Sequence, residues 1–290
     1  MTDADLDLLL INPGGREKIY QELGAELSAV EPPLWCRLIA GYVRDRDFSV
    51  VILDCEALNL DPEEVAEKVR AANPRLAAMV VFGHQPSAST QQMVGAGDAC
   101  RAIKEKAGNI PVIMIGGHVS ALPERILAEE AIDFACKGEG PVTVAQLLET
   151  LKSGGTEDFS AIEGLVWMRD AAPVVNPPAA LIASLEEDLH GNAWDLLPME
   201  KYRAHNWQSF GDLDSREPYA SIYTSLGCPY QCVFCCINAP FDINRYRMRH
   251  PRTVVSEITH LHEVYGVTTF KIIDEMFVLN QRHVNDICDL

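Results

Sequence analysis

The densest chemistry in the sequence is a run of thiols. Gly227-Cys228-Pro229-Tyr230-Gln231-Cys232-Val233-Phe234-Cys235-Cys236 sets three cysteines at C-x3-C-x2-C, directly after an expected strand. Thiolates at that spacing can wrap one soft-metal centre, because the residues between them let the chain curl around it. The number three is informative. A structural zinc site closes with four ligands, and an electron-transfer cubane likewise uses four cysteines. Cys236 adjoins Cys235 and is expected to point its side chain elsewhere. Three protein ligands leave one iron of a four-iron cluster open to bind a substrate or cofactor directly. A zinc-stabilised binding module using Cys228, Cys232, Cys235 and Cys288 is an alternative of unusual spacing.

Elements of two kinds must position these thiols. The first 150 or so residues alternate short apolar runs with helical patterns, the signature of an α/β parallel sheet covered on both faces. Strands are expected at Leu6 to Ile11, Phe48 to Leu53, Ala77 to Phe82, Val112 to Ile115 and Ile132 to Cys136. Helices are expected at Trp35 to Arg46, Pro62 to Ala72, Ser89 to Lys106, Pro123 to Glu130 and Val142 to Leu151, two of them opening on proline. Ligands of such sheets bind beyond the carboxyl ends of the strands. Those ends read Asn12-Pro13-Gly14-Gly15, Gly83-His84-Gln85-Pro86, Gly116-Gly117-His118 and Gly138-Glu139-Gly140. Glycine on one edge in four loops favours a bulky ligand over four independent tight turns. The connection from Asn12 to Glu31, about 20 residues where 2–6 is usual, adds to that reading. The letters match neither a G-x-G-x-x-G dinucleotide fingerprint nor a P-loop, and the acids of a phospho-acceptor domain are replaced by Asn12 and Gly83.

A second βα series begins at Ser221 to Ser225 and continues through a helix at Arg252 to Tyr265, a strand at Thr268 to Ile273 and a helix from Gln281. Val254, Val255, Ile258, Leu261 and Val264 stand at helical spacing and are expected to be core. Two strands cannot cover both faces of a parallel sheet, so the 290 residues read as a fragment of a longer protein. The expected division is 1–152, a connector at 153–215 and a second unit at 216–290. Within the connector, Gly164 to Met168 alternates and Ala193 to Tyr202 is apolar enough to dock between the units. Arg245, Arg247, Arg249 and Arg252 suit either a carboxylate or phosphate ligand or salt bridges to neighbouring acids.

The composition sets outer bounds. A length of 290 residues suits about two domains. At 48% hydrophobic and 23% charged residues, long disorder and a disulfide miniprotein are excluded. A net charge of −18 repels phosphate backbones and anionic lipids, making nucleic acid a poor first guess as partner. No run reaches the roughly 18 apolar residues of a membrane span. The acidic start, Met1 to Asp7, lacks the basic opening of a secretory signal. Nine cysteines, an odd number, argue for thiols or metal ligands in a reducing, cytoplasmic setting.

C-x3-C-x2-C with Phe234 before the last cysteine resembles the radical S-adenosylmethionine enzymes, whose three cysteines hold a [4Fe–4S] cluster at the top of a partial TIM barrel. The resemblance makes Cys228, Cys232 and Cys235 the cluster ligands, places Phe234 beside the adenine, and makes Asp274 and Glu275 weaker cofactor candidates that a solvated helix-entry pair would equally explain. The first half, through Leu10-Ile11-Asn12-Pro13, Glu31-Pro32-Pro33-Leu34, Ile52-Leu53-Asp54, Gly116-Gly117-His118, Leu122-Pro123-Glu124 and Lys137-Gly138-Glu139-Gly140, resembles the flavodoxin-like cobalamin domain of the cobalamin-dependent subclass. One departure matters. The D-x-H-x-x-G motif that supplies a histidine to cobalt is missing, and Asn12-Pro13-Gly14 stands where it would begin. Cobalamin is therefore expected without a histidine ligand, with Ser87, Ser89, Thr90, Gly116 and Gly117 around its nucleotide tail and His118 in a conformational or packing role.

The resemblance implies a flavodoxin-like doubly wound sheet followed by the first βα units of a partial TIM barrel. It implies three cofactors: a [4Fe–4S] cluster, S-adenosylmethionine and cobalamin. The reaction implied is methyl transfer to an unactivated carbon or phosphorus centre of a small molecule, with a deoxyadenosyl radical abstracting hydrogen. An electron donor such as flavodoxin or ferredoxin would supply the cluster. Cyclisation or rearrangement is the second branch, a non-catalytic corrinoid or iron–sulfur carrier the third. As a fragment, the chain by itself is expected not to turn over.

Overall fold

The computed structural model describes residues 6–15, 28–83, 88–154, 158–209, 214 and 216–290. Strands β1 (Leu6–Asn12), β2 (Val50–Asp54), β3 (Pro74–Val81), β4 (Val112–Gly116) and β5 (Phe134–Cys136) lie parallel in the order β2-β1-β3-β4-β5. Helices α1 (Leu34–Arg44), α2 (Cys55–Leu58), α3 (Pro62–Ala72), α4 (Ala88–Lys106), α5 (Gly117–Ala121), α6 (Pro123–Glu129) and α7 (Pro141–Lys152) connect and cover them. The reversal of strand order beside β1 is the doubly wound arrangement expected from the sequence.

Strand pleat explains the near-continuous apolar runs. Leu8, Leu10, Leu76, Ala78, Ile113 and Ile115 face one layer, while Leu9, Ile11, Ala77, Met79, Val112 and Met114 face the other, and all are buried. Burying each larger side chain contributes about 1.5–3 kcal/mol. The helix ends follow their letters. Asp61 caps α3 by accepting from the Glu64 amide at 2.9 Å, the Glu64 carboxylate accepts from the Asp61 amide at 3.0 Å, and Pro62 opens the helix.

Residues 153–215 supply more than a tether. Strands β6 (Leu165–Arg169) and β7 (Ala172–Val175) extend the sheet antiparallel beyond β5, making seven strands. The Asn176 amide donates to the Phe159 and Ile162 carbonyls and accepts from Trp167 Nε1, pinning the return of this hairpin. Further on, Trp194 and Tyr202 are buried, as the apolar composition of Ala193 to Tyr202 anticipates.

The second βα series holds β8 (Tyr219–Ile222), β9 (Ser225–Leu226), β10 (Arg247–Met248), α8 (Pro251–Tyr265), β11 (Thr269–Ile272) and α9 (Gln281–Cys288). β8 and β11 pair in parallel, and β9 and β10 antiparallel. Tyr219, Ile222, Tyr223, Val254 and Leu261 join the same apolar cluster as Leu8, Leu38 and Val144, so one core runs through both halves. One expectation is corrected here. On α8, Val254 and Leu261 are wholly buried, but Val255 and Ile258 are only partly buried and Val264 is 59% exposed. Glu257 is buried instead, because it shares the face of Val254 and Leu261 and meets two guanidinium groups there.

Polar ties cross the same interface. Glu257 pairs with Arg37 of α1 at 3.3 Å and with Arg249 at 2.5 Å, and accepts from Trp194 Nε1 at 2.8 Å. Arg37 also lies 3.5 Å from the Trp194 ring centroid and donates to the Gly191 carbonyl. Arg247 pairs with Glu139 at 2.5 Å, and Lys271 with Glu31 at 2.7 Å. Of the four arginines, Arg247 and Arg249 thus form buried ion pairs, while Arg245 and Arg252 are exposed. Among the described residues no helix is long and apolar enough to cross a membrane.

Candidate functional site

The carboxyl ends of β3 and β4 face the ends of the cysteine loop across a solvent-open cleft of about 1170 Å³. Trp35, Phe82, Gly83, Thr90, Gly117 and His118 line it from the sheet side. Leu226, Cys236, Ile237, Phe241, Asp274 and Glu275 line it from the second half. Trp35 and Phe82 stack with centroids 4.2 Å apart and planes 14° apart, giving the cleft a flat apolar floor.

Gly116 ends β4 against β3. A Cβ there would stand 2.0 Å from the Val81 carbonyl oxygen, so only glycine allows this approach. The neighbouring Ser89 is buried, donates through Oγ to the Val81 carbonyl and accepts from the His118 amide at 2.9 Å. Thr90 Oγ1 lies 3.0 Å from His118 Nδ1. Ser89 therefore sets the start of α5, and Thr90, Gly117 and His118 remain on the wall. Ser87 lies outside the described residues.

Two expected groups sit elsewhere. The Asn12 amide donates to Asp54 Oδ1 at 2.8 Å, and Asp54 also accepts from Tyr202 Oη at 2.8 Å and the Ala57 amide at 3.1 Å. That places Asn12 in a buried polar knot at the ends of β1 and β2, away from the cleft lining. Gly138, Glu139 and Gly140 follow β5 and line a smaller pocket. The Glu139 carboxylate is taken up by Arg247 and by the Ile182 amide at 3.1 Å. Ser120 Oγ accepts from the Gly138 amide at 3.0 Å and donates to the Ala239 carbonyl at 2.9 Å, tying this edge to the segment after the cysteines.

The cysteine loop is built to turn back on itself. Gly227 has φ +83°, and a Cβ on it would stand 2.2 Å from the Arg245 carbonyl oxygen, where the chain returns. Cys228 is buried, while Cys232, Cys235 and Cys236 are exposed. The Cys235 amide donates to the Cys232 carbonyl at 3.1 Å. Phe234 is 89% exposed, a free aromatic face beside the last thiol. Behind the loop, Asp274 accepts from the Thr224 amide at 2.6 Å, Thr224 Oγ1 at 2.5 Å and Ser225 Oγ at 2.7 Å. Glu275 accepts from the Gly227 amide at 3.2 Å, and burial raises its carboxyl above the usual range. The structure thus joins Asp274 and Glu275 to the start of the cysteine loop through the strand ends that carry them.

The remaining cysteines differ in kind. Cys36, Cys55, Cys100 and Cys136 are buried in the sheet layers. Burial pushes their thiols up, to about 12 for Cys100 and Cys136, which suppresses thiolate chemistry. Among the described residues no three His, Cys, Asp or Glu side chains converge on a single-ion position. A preformed zinc tetrahedron with Cys288 is therefore absent there. A four-iron cube holds its thiolates further apart, and three soft donors on one turning loop suit it. A wide cleft with a flat aromatic floor and glycine at its edge suits a planar macrocycle such as a corrin.

Sequence reasoning missed Trp35 and Phe82, whose letters look like ordinary core. It also missed Asn238, whose amide bonds within the cysteine loop, and the position of Cys236 on the cleft wall. Adjacency to Cys235 signalled only that Cys236 points away from its neighbour.

The profile of the B12 binding domain matches residues 21–148. Over 283 residues, 97% of this chain and 56% of the relative, the sequence is 29% identical to an uncharacterized methyltransferase of Pyrococcus horikoshii. It is 28% identical to the anaerobic magnesium-protoporphyrin IX monomethyl ester cyclase of a Synechocystis species, covering 97% of this chain and 52% of that protein. The chain thus spans about half the length of the curated relatives it matches. In fold it is similar to the radical S-adenosylmethionine methyltransferase TsrM of Kitasatospora setae, with a TM-score of 0.67 over 97% of this chain and 50% of that one, at 20% identity. TsrM has been solved with cobalamin and a [4Fe–4S] cluster, and with tryptophan and an analogue of S-adenosylmethionine.

Proposed function

We propose, from the premise that the chain carries a B12-binding domain and has the fold of the cobalamin-dependent radical S-adenosylmethionine enzymes, that it sets cobalamin and a [4Fe–4S] cluster on facing walls of one cleft. The observation that carries this reading is the cleft itself, where the strand ends beside Trp35, Phe82 and Gly117 look onto Leu226, Cys236 and Ile237, the residues that flank the motif of Cys228, Cys232 and Cys235. The reaction proposed is methyl transfer to an unactivated carbon or phosphorus centre of a small molecule, with flavodoxin or ferredoxin as the class of electron donor. Ring formation on the same cofactors is the second reading, favoured by the likeness to a cyclase. When bound, the cluster with S-adenosylmethionine supplies a carbon-centred radical, and cobalamin supplies the methyl group.

The chain's own residues bind, orient and exclude water. Cys228, Cys232 and Cys235 would hold the cluster, leaving its fourth iron to the cofactor. Asp274 locks the backbone of Thr224 and the hydroxyls of Thr224 and Ser225, fixing the strand end from which the thiols spring. Glu275 restrains Gly227 at the entry of the loop. The Trp35–Phe82 stack closes the floor against water, and Ser89 with Thr90 holds His118 at the wall. Phe234 offers its exposed ring to a base.

Anaerobic reconstitution of the chain with iron and sulfide, then hydroxocobalamin and gel filtration, tests both walls. We expect about four irons and one cobalamin to co-elute per chain, and S-adenosylmethionine with a reductant to yield 5′-deoxyadenosine when the full-length protein is assayed. Zinc uptake without iron overturns the radical assignment. Iron without cobalamin overturns the cleft assignment, and both cofactors without cleavage of S-adenosylmethionine would make the protein a carrier.

A further inference from the structure

We propose that Asn238 is a positioning residue that holds the cysteine loop in a ligand-ready shape before any cluster is present, an inference that rests on the cluster assignment above. One carboxamide reaches both polar groups of the Cys228 backbone. Its Oδ1 accepts from the Cys228 amide at 3.3 Å, and its Nδ2 donates to the Cys228 carbonyl at 3.0 Å. The same Nδ2 donates to the Tyr230 carbonyl at 3.3 Å and to Asn244 Oδ1 at 2.8 Å. Two N–H bonds are thus shared among three acceptors, and the side chain binds the first ligand, the turn after it and the returning segment before β10 to one point.

The chemistry of an amide is needed here. The site presents one donor and three acceptors, which only a group with both a carbonyl and an NH2 can meet. Closing the loop costs chain entropy, and a loop closed in advance does not charge that cost to metal binding. Gly227 against Arg245 closes the loop by backbone contact, and Asn238 closes it by side chain. Cys232 and Cys235 are left exposed on the far arc, open to an arriving cluster.

The test compares Asn238→Ala, Asn238→Asp and Asn244→Ala with the wild-type chain. Each of the lost bonds is of a strength that, taken two at a time, amounts to about tenfold in a rate or equilibrium. We expect iron release to a chelator from the reconstituted chain to be about tenfold faster in Asn238→Ala. Asn238→Asp should behave like alanine, because it turns an anion onto three oxygens. Asn244→Ala should change the rate less than about threefold. The electron paramagnetic resonance of the reduced cluster should broaden in the two Asn238 variants and stay sharp in Asn244→Ala, while cobalamin binding stays at the wild-type level. A second measurement uses no iron: trypsin should cut the apo chain at exposed Arg245 about tenfold faster in Asn238→Ala. Wild-type rates of both cutting and iron release in Asn238→Ala overturn the proposal. A wild-type chain that takes up no cluster overturns the cluster assignment instead, and the tryptic comparison still decides whether Asn238 shapes the loop.

Discussion

Glu257→Gln is the most demanding perturbation of this architecture. The Glu257 carboxylate is the shared anion of two wholly buried guanidinium groups, 3.3 Å from Arg37 and 2.5 Å from Arg249, and it accepts from Trp194 Nε1 at 2.8 Å. Glutamine keeps the shape and one accepting oxygen, but it turns an NH2 toward a donor and leaves both cations without a counter-charge. Removing one partner of a buried ion pair costs about 3–5 kcal/mol. With two cations stranded, the loss should fall in the upper part of that range, about 4–5 kcal/mol, a large share of the roughly 5–15 kcal/mol that holds a domain folded. Urea unfolding of the apo chain, followed by tryptophan fluorescence, reads the change through the shift in midpoint. Glu263→Gln on the exposed face of the same helix is the control and should stay within about 0.5 kcal/mol. A Glu257→Gln midpoint matching that control would refute the claim that this carboxylate neutralises the interface between the halves.

Three further outcomes are expected. Cys228→Ala, Cys232→Ala and Cys235→Ala should each abolish retention of a four-iron cluster, while Cys236→Ala keeps it; iron and sulfide analysis of anaerobically reconstituted chains decides, and full iron in any of the first three contradicts the ligand set. Gly95→Ala places a Cβ 2.1 Å from the Gly14 carbonyl oxygen, so it should cost at least about 1–3 kcal/mol and lower the melting temperature, whereas an unchanged transition would show that α4 has slack there. Burial holds the Glu275 carboxyl above its ordinary 4.5, so the folded chain binds that proton more tightly than the unfolded one, and stability falls as pH rises from the ordinary value through the raised one. Glu275→Gln should remove that fall and be relatively more stable on the alkaline side of the window; urea midpoints that track the wild type at every pH count against it.

The parallel sheet was readable because each of its central strands is buried on both faces, which writes itself as short unbroken apolar runs such as Leu8 to Ile11 and Ala77 to Val81. The cysteine loop was readable because thiol spacing is a local code. Long-range pairing is not. Nothing local says that Val166 and Trp167 add antiparallel to β5, since an alternating strand suits any open edge. Glu257 looks like a solvated helix residue until Arg37, 220 positions earlier, is brought against it. Asn238 carries no local signal either, because its role depends on where the backbone of Cys228 returns to meet it. Val264 reads as core by spacing, yet the buried face of α8 is the narrower one of Val254, Glu257 and Leu261, where Glu257 meets buried arginines.

A single apolar core threading both βα series has an evolutionary meaning. Tyr219, Ile222 and Leu261 complete a packing layer begun by Leu38 and Val144, so the first half is not a cassette that can be exchanged on its own. A chimera joining the first half of this chain to the second half of a distant relative inherits mismatched volumes where the two meet. Drift at either side of that seam is therefore answerable to the other, and the distance across the cleft is inherited along with the fold.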